Sequence, residues 1–102
     1  MGENELIYIS GPITGISNYR ENFARAENYL SRKGYRVINP AKVDDALPFL
    51  DYDQHMTKDL ALLGLCETIF MLTGWEDSKG ANIEYQYAKS HNLKILLEKK
   101  ER

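Results

Sequence analysis

Glu84 is the residue of this sequence best placed to do chemistry, because it falls about one turn inside a predicted helix that follows a predicted strand. The strand is the apolar run 68–73, whose β-branched and aromatic residues are typical of a buried strand. The helix follows from Ala81, Tyr85 and Ala88, which recur at helical spacing. In an open α/β sheet, ligands bind where the strands end and the helices begin. Since the helix dipole favours a carboxylate there, Glu84 is predicted to be ionised and able to act as a nucleophile.

The turn between this strand and this helix holds several groups that could shape a site. Gly74 and Gly80 allow the backbone to turn tightly or to approach a ligand closely. Asp77 or Ser78 is predicted to cap the helix by accepting an N–H hydrogen bond in its first turn. On spacing alone, a solvent-exposed glutamate near a helix start is the commoner interpretation of Glu84. The chemical interpretation therefore needs support from groups elsewhere in the chain.

Three other polar residues belong to elements that could converge on Glu84. Tyr8 and Ser10 lie on the same face of the predicted strand 6–10, near its carboxyl end. Asp59 lies on the predicted helix that leads into the strand before Glu84. Each is ordinary by itself, since Tyr8 fits a half-buried strand position and Asp59 fits a solvated helix position. Together with Glu84 they offer a carboxylate nucleophile, a phenol to orient it, and a second carboxylate for hydroxyl binding or proton transfer.

These groups meet only if the fold brings their elements together, and the order of the elements predicts that it does. Apolar runs alternate with helical patterns in the order β-α-β-α-β-α-β, which predicts a parallel sheet with helices on both faces. The predicted strands are residues 6–10, 35–39, 68–73 and 93–97. The simplest result is a small doubly wound α/β fold, flavodoxin-like or Rossmann-like, with four strands in the order 2-1-3-4. The loops after strands 1 and 3, which contain Gly11-Pro12 and residues 75–80, would then face one crevice.

Local signals predict where two of the helices begin. Asn18 and Glu21 have the spacing of a capping box, with Asn in place of the usual Ser or Thr. Asp51 and Gln54 repeat this spacing before the next helix. Between them, residues 41–52 are the least regular part of the sequence and are predicted to form a loop, with a short helical turn as the alternative.

Composition and charge narrow the class of protein. The 102 residues are 43% hydrophobic and 27% charged, which predicts one globular domain spanning residues 1–102. The net charge of −2 and the lack of a long basic cluster speak against duplex nucleic acid as a partner. No apolar stretch approaches transmembrane length, so no membrane partner is predicted. Cys66 is the single cysteine, so no intrachain disulfide can form, and the cytoplasm is the predicted location.

The sequence predicts neither a metal site nor a cofactor. His55 and His91 lie on different predicted helices, and neither has another His or Cys at ligand spacing. Residues 11–15 contain two glycines but lack the third glycine of a dinucleotide fingerprint, and Pro12 removes an N–H donor. This segment is interpreted either as a tight turn between strand and helix or as the entrance for a small polar ligand near the N–H groups of residues 18–20.

Several of these motifs resemble one superfamily, the nucleoside 2-deoxyribosyltransferases. Residues 7–12, Ile-Tyr-Ile-Ser-Gly-Pro, resemble its opening strand, and Asp59-Leu60 resembles its Asp motif. Residues 80–88, Gly-x-x-x-Glu-x-x-x-Ala, resemble its nucleophile helix. The similarity spans roughly residues 6–97 and is greatest to a short branch from phage and bacterial genomes whose function is unsettled. The Trp, Ser, Gly-Ala and Glu pattern of that branch is met by Trp75, Ser78, Gly80-Ala81 and Glu84.

The resemblance implies a reaction at an N-glycosidic bond without a cofactor. Glu84 would attack the anomeric carbon of a (deoxy)ribosyl group and expel a nucleobase, and water or a second base would resolve the covalent intermediate with net retention. Tyr8 would hold the Glu84 carboxylate in line. Asp59 would contact sugar hydroxyls or help to protonate the leaving base, and Asp77 or Ser78 would bind the sugar.

The resemblance also implies further substrate contacts, which would come from Ser10, Gly11, Pro12, Trp75 and Gly80. Hydrolases of the superfamily act on nucleoside monophosphates and bind the phosphate through hydroxyls, for which Ser10, Thr14 and Ser17 could serve. A nucleoside and a 5′-monophosphate therefore both stay open as the small-molecule substrate. Because many members complete the site with a neighbouring subunit, the resemblance implies a homo-oligomer, a dimer or larger.

Three interpretations of function follow from the sequence. The first is an enzyme of the N-glycosidic bond, either a hydrolase or a transferase. The second is a binding module that holds a nucleotide or an ADP-ribose-like ligand without turnover. The third is a small oligomeric domain whose aromatic surface, supplied by seven tyrosines, serves assembly.

Overall fold

A computed structural model of the chain describes residues 5–99, so residues 1–4 and 100–102 of the predicted domain lie outside the described part. The described residues form a four-stranded sheet and four α-helices. In chain order these are β1 (Leu6–Ser10), α1 (Tyr19–Arg32), β2 (Arg36–Ile38), α2 (Pro40–Ala46), α3 (Tyr52–Leu63), β3 (Thr68–Met71), α4 (Lys79–Ser90) and β4 (Lys94–Leu97). A single 3₁₀ turn, Trp75–Asp77, lies between β3 and α4.

The sheet has the predicted doubly wound topology. All strand pairs are parallel and the strand order is β2-β1-β3-β4, which confirms the order 2-1-3-4. In the centre of the sheet, Tyr8 pairs with Ile69 and Ser10 pairs with Met71. The strands β2, β3 and β4 are one or two residues shorter than the apolar runs that predicted them. The switch point of the topology therefore lies between β1 and β3, where such folds bind ligands.

The loops that follow β1 and β3 adjoin each other, as predicted. Gly74 has a φ of +91°, a left-handed conformation that favours glycine, and it turns the chain directly after β3. A Cβ placed on Gly74 would lie 3.6 Å from Cγ of Pro12 in the loop after β1. The two loops thus border the same end of the sheet.

Helices cover both faces of the sheet because successive side chains of a strand point in opposite directions. One face packs against α1 in a buried cluster formed by Ile7, Ile9, Phe23, Ala26, Leu30, Ala41, Phe70 and Leu72. The other face packs against α3 and α4 in a cluster formed by Tyr8, Leu63, Cys66, Ile69, Met71, Ala81 and Ala88. Adjacent residues of β1 therefore belong to different halves of the core.

Two of the local predictions are corrected by the structure. Residues 41–52, predicted as a loop with a short helical turn as the alternative, contain most of helix α2, which begins at Pro40 and is longer than one turn. Asn39 caps α2, because its side chain accepts a hydrogen bond of 3.0 Å from the backbone N–H of Ala41. An Asn followed by Pro is typical of a helix start. The Asn side chain can cap the helix, and Pro lacks the N–H group that would have no partner in the first turn.

The second correction concerns the capping boxes. Asn18 makes no side-chain hydrogen bond at the start of α1, so the box predicted with Glu21 is absent. The box at the start of α3 is confirmed. There the Asp51 carboxylate accepts a bond of 2.8 Å from the Gln54 backbone N–H, and the Gln54 side chain accepts one of 3.0 Å from the Asp51 backbone N–H.

Candidate functional site

Helix α4 carries Glu84 into the interior of the protein. Its first turn is capped by Ser78, whose hydroxyl accepts a hydrogen bond of 3.1 Å from the backbone N–H of Ala81. This settles the predicted choice between Asp77 and Ser78 in favour of Ser78. The face of α4 that meets the sheet consists of Ala81, Glu84 and Ala88. The small alanines let the helix approach the sheet closely, and the Glu84 side chain is consequently only 6% exposed.

Two hydroxyl groups of β1 hold the Glu84 carboxylate. The Tyr8 hydroxyl donates a hydrogen bond of 2.7 Å to Oε2 of Glu84, and the Ser10 hydroxyl donates one of 2.6 Å to Oε1. Tyr8 and Ser10 are two residues apart, so they point to the same face of the strand. The predicted convergence of Tyr8, Ser10 and Glu84 is thereby found at the carboxyl end of β1.

The predicted ionisation of Glu84 needs correction. Burial raises the pKa of Glu84 to about 7, although the hydrogen bonds from Ser10 and Tyr8 act in the opposite direction. Glu84 is the sixth residue of α4, and the dipole effect fades beyond the first turn of a helix. Glu84 therefore gives up its proton at a higher pH than an exposed glutamate does. Burial and the nearby Glu84 charge raise the pKa of Tyr8 well above its usual value, so its phenol stays protonated and can donate.

Asp59 is the second buried carboxyl near this site. It lies on α3 and is 6% exposed, and its Oδ1 accepts no hydrogen bond from the residues that the structure describes. Burial raises the pKa of Asp59 to about 6, and the ammonium group of Lys58 opposes this rise. The charge of Asp59 in turn raises the pKa of both Glu84 and Tyr8, which places the three groups within electrostatic reach of one another.

A cluster of charged and titratable side chains beside Asp59, formed by Asp44, His55 and Lys58, was not recognised from the sequence. The ammonium nitrogen of Lys58 contacts Oδ1 of Asp44, and it lies 3.0 Å from Nδ1 of His55 and 3.4 Å from Oδ1 of Asp59. His55, Lys58 and Asp59 follow one another at the i, i+3 and i+4 spacing that places residues on one helix face. That spacing could have revealed the helical part of the group. Asp44 could not be added, because it lies in α2, the helix that was predicted to be a loop.

Several residues predicted to bind substrate take part in packing. A Cβ on Gly11 would lie 2.7 Å from Cβ of Leu72, so this glycine is required by close packing between the two loops. The Trp75 ring packs against that of Tyr85, with a centroid separation of 4.5 Å and an interplanar angle of 30°. One face of the Trp75 ring is thereby already covered.

The remaining residues predicted to contact substrate are Gly80, Asp77 and Pro12. A Cβ on Gly80 would lie 3.4 Å from Sδ of Met56, so Gly80 lets α3 and α4 come close together. Asp77 is exposed in the 3₁₀ turn, and Pro12 is half-buried beside Gly74. None of these residues shares a hydrogen bond with Glu84, whose side-chain partners among residues 5–99 are Tyr8 and Ser10.

The described residues offer neither a cluster of metal ligands nor a membrane-spanning helix. Within residues 5–99, no three His, Cys, Asp or Glu side chains are grouped so that they could hold a metal ion. In the same range, no helix combines the length and the apolar character needed to cross a membrane. The cation beside Asp44, His55 and Asp59 is the ammonium group of Lys58.

Fold and site together define the class of this protein, which is a small doubly wound α/β domain with a buried carboxyl pair beneath the switch point of its sheet. The chain belongs to the family described as a domain of unknown function, DUF4406, whose model matches residues 5–97. No curated protein matches the chain at a significant level.

Proposed function

We propose that this protein cleaves or transfers at the N-glycosidic bond of a (deoxy)nucleoside or of its 5′-monophosphate, with Glu84 as the nucleophile. The observation that supports this most is the hydrogen bonding of both Glu84 oxygens, one to Tyr8 and one to Ser10. Burying a carboxyl group in this way costs stability, and hydrophobic side chains would fill the same space at no such cost. A catalytic role of Glu84 would explain why the protein buries a carboxyl group at this position.

The geometry is compatible with a nucleophile. Each carboxylate oxygen of Glu84 accepts one hydroxyl hydrogen bond and keeps a further lone pair with which to form a bond. The two hydroxyls fix the plane of the carboxylate, so little orientation has to be imposed when the substrate binds. Tyr8 and Ser10 are in turn held by the central strand of the sheet.

The proposed reaction has two displacements at the same carbon. The Glu84 carboxylate bonds to the anomeric carbon while the bond from that carbon to the base breaks, and the electron pair stays on the base nitrogen. Asp59 gives that nitrogen a proton, or it binds the sugar hydroxyls while the solvent supplies the proton. Water or a second base then attacks, the bond to Glu84 breaks, and the proton of the attacking group leaves to Asp59 or to the solvent. Two inversions give net retention.

Base release is the direct test of this proposal. The protein is incubated with a panel of ribonucleosides, deoxyribonucleosides and their 5′-monophosphates, and free base is measured by liquid chromatography. Glu84→Gln keeps the shape of the side chain but removes the nucleophile, so the rate should fall on the order of 10⁴-fold or more. Glu76→Gln, at an exposed position of the 3₁₀ turn, is the matched control and should retain the rate.

Two further measurements separate the enzyme from its alternative. A slowly resolved substrate should increase the mass of the wild-type protein by one sugar. Tyr8→Phe should lower kcat more than it changes KM, because the phenol orients the nucleophile in the transition state. Wild-type protein that binds a nucleotide without releasing base, and a Glu84→Gln variant that binds it equally well, would replace the enzyme by a nucleotide-binding module of the same fold.

A homo-oligomer in the cytoplasm is also part of the proposal. Its support is an open groove of about 1240 Å³ between α1 and β4, which is an edge strand of the described sheet. Tyr29 is 53% exposed and Leu97 is 60% exposed beside this groove, and a second copy of the chain would cover both. Light scattering at micromolar concentration should give at least a dimer, and Leu97→Lys should shift the protein towards monomer. A wild-type monomer would contradict this part. The cytoplasmic location is supported by the single cysteine, because proteins of this reducing compartment rarely depend on disulfides.

A further inference from the structure

Lys58 occupies an unusual place for a lysine, because its side chain is only 15% exposed beside the carboxyl site. Its ammonium nitrogen contacts Oδ1 of Asp44 and lies 3.0 Å from Nδ1 of His55 and 3.4 Å from Oδ1 of Asp59. An ammonium group has three N–H donors, which equals the number of these neighbours. The ammonium nitrogen of Lys58, on a partly buried side chain, thus has three groups from two helices within 3.4 Å.

The geometry of the group makes Asp44 and Asp59 compete for one cation. Asp44 has the closer contact with Lys58, and its Oδ1 also lies 3.1 Å from Nδ1 of His55. Asp59 has only the longer approach of 3.4 Å, which satisfies the distance of an ion pair but forms no hydrogen bond. Its buried Oδ1 consequently depends on Lys58 for electrostatic stabilisation while its capacity to accept a hydrogen bond stays free.

We infer that Lys58 is a positioning residue of the Glu84 site: its ammonium group, shared among Asp44, His55 and Asp59, holds the Asp59 carboxylate in its ionised form. The charge on Asp59 does not depend on any reaction, whereas its importance for turnover rests on the proposed function. In that reaction, the ionised Asp59 binds the sugar hydroxyls, which is the second of the two roles proposed for it.

The charge balance around Asp59 explains why one lysine matters. The titratable or charged groups that act on Asp59, or on which it acts, come from each neighbouring element and are Asp44 on α2, His55 and Lys58 on α3, Tyr8 on β1 and Glu84 on α4. Two of them, Asp44 and Glu84, can carry a negative charge in a region of low dielectric constant. Lys58 supplies the ammonium group of this set. Without it, burial and the neighbouring carboxylates would all favour the protonated form of Asp59.

The test is the titration of the Asp59 carboxyl carbon by ¹³C NMR, with the signal assigned through Asp59→Asn. Lys58→Met removes the charge but keeps the length of the side chain, and it should raise the midpoint by about one pH unit or more. Lys58→Arg should restore most of the wild-type midpoint. Lys42→Met is the matched control, since Lys42 pairs with Glu27 at the surface and should leave the midpoint unchanged. An unchanged midpoint in Lys58→Met would overturn the inference.

A second variant keeps the inference testable if Lys58→Met fails to fold. Asp44→Asn removes the competitor for the ammonium group and also a negative charge, so the Asp59 midpoint should fall instead of rise. A midpoint that rises or stays constant in Asp44→Asn would contradict the sharing of one cation. Kinetics are read separately: in an active enzyme, Lys58→Met should shift the pH profile of base release in parallel with the NMR midpoint. Shifted midpoints in a protein that releases no base would refute the proposed function and leave the role of Lys58 standing.

Discussion

The two faces of the sheet are built from the same strands but differ in chemistry. On one face of β1, Ile7 and Ile9 pack with Phe23 and other apolar side chains of α1. On the other face, Tyr8 and Ser10 donate hydrogen bonds to the buried Glu84. The alternation of a single strand therefore separates an apolar core from a polar one.

The apolar residues of one face stabilise the fold, whereas the burial of carboxyl groups on the other face destabilises it. Apolar burial on the α1 face contributes about 25 cal/mol per Å² removed from water. On the α3 and α4 face, burial acts against the charged forms of Glu84 and Asp59, and the pKa of each carboxyl rises as a result. The α1 face should thus respond to mutation in stability, and the opposite face should respond in activity and in pH dependence.

The largest expected effect on stability comes from the apolar face. Phe23 is 1% exposed, and Phe23→Ala should lower the free energy of unfolding by about 3–5 kcal/mol, because it leaves a cavity under α1. Urea denaturation followed by circular dichroism measures this loss. Phe49→Ala is the matched control, since Phe49 is 77% exposed and should change stability by less than about 0.5 kcal/mol. Equal losses in the two variants would contradict the assignment of Phe23 to the core.

The titration of Glu84, on the polar face, should make the stability of the protein depend on pH. The unfolded chain loses the Glu84 proton near pH 4.5, whereas the folded protein keeps it until about pH 7. Between these values the folded state binds more protons, so the free energy of unfolding falls as the pH rises, by about 3 kcal/mol in total. The raised pKa of Asp59, about 6, adds to the same trend.

The pH effect is measured as the difference between two proteins. Denaturation of the wild type and of Glu84→Gln at pH values from 4 to about 8 cancels the contributions of groups remote from Glu84, such as Glu27 and Glu98, whose pKa values are lowered. The wild type should lose stability relative to the variant as the pH rises. A constant difference across this range would show that Glu84 is not buried as a carboxyl group. Glu76→Gln should reproduce the wild-type curve.

The topology could be predicted from the sequence because it depends on patterns that are local or nearly so. Four apolar runs, separated by helical patterns and short connections, leave few arrangements other than a parallel sheet. The meeting of Tyr8, Ser10 and Glu84 follows from that topology and from the period of two in β1. A site on a regular strand and helix is therefore accessible to reasoning from sequence.

The protonation of the site and the contacts of Lys58 could not be predicted in this way. The pKa of Glu84 depends on how completely α4 covers it, and the predicted effect of the helix dipole is smaller than the effect of burial. Lys58 acquires its role through Asp44, whose position depends on α2, a helix of seven residues that is too short to leave a clear periodic pattern. The pKa of Glu84 and the contacts of Lys58 both arise from packing between helices and strands that are distant in the sequence.

The smallest expected effects on stability come from the N-terminal caps of α1 and α4, two helices that lie on opposite faces of the sheet. Ser78 caps α4 on the polar face through its hydrogen bond to the Ala81 backbone, whereas the Asn18 side chain makes no capping bond to α1 on the apolar face. Ser78→Ala should therefore lower the free energy of unfolding by about 1 kcal/mol. Asn18→Ala, the matched control, should change it by only a few tenths of a kcal/mol, because the backbone carbonyl of Asn18 still accepts the bond from Asn22.

Both cap variants are measured by thermal unfolding at one pH, so that the titration of Glu84 contributes equally to each. Fraying of α4 should also loosen the Glu84 carboxylate, since Glu84 lies less than two turns from the cap. In an active enzyme, Ser78→Ala should consequently lower kcat by a factor of a few below the melting temperature, and Asn18→Ala should leave it unchanged. If the two variants lost the same stability, the hydroxyl of Ser78 would not be a cap, and α4 would be held in place by its packing against the sheet alone.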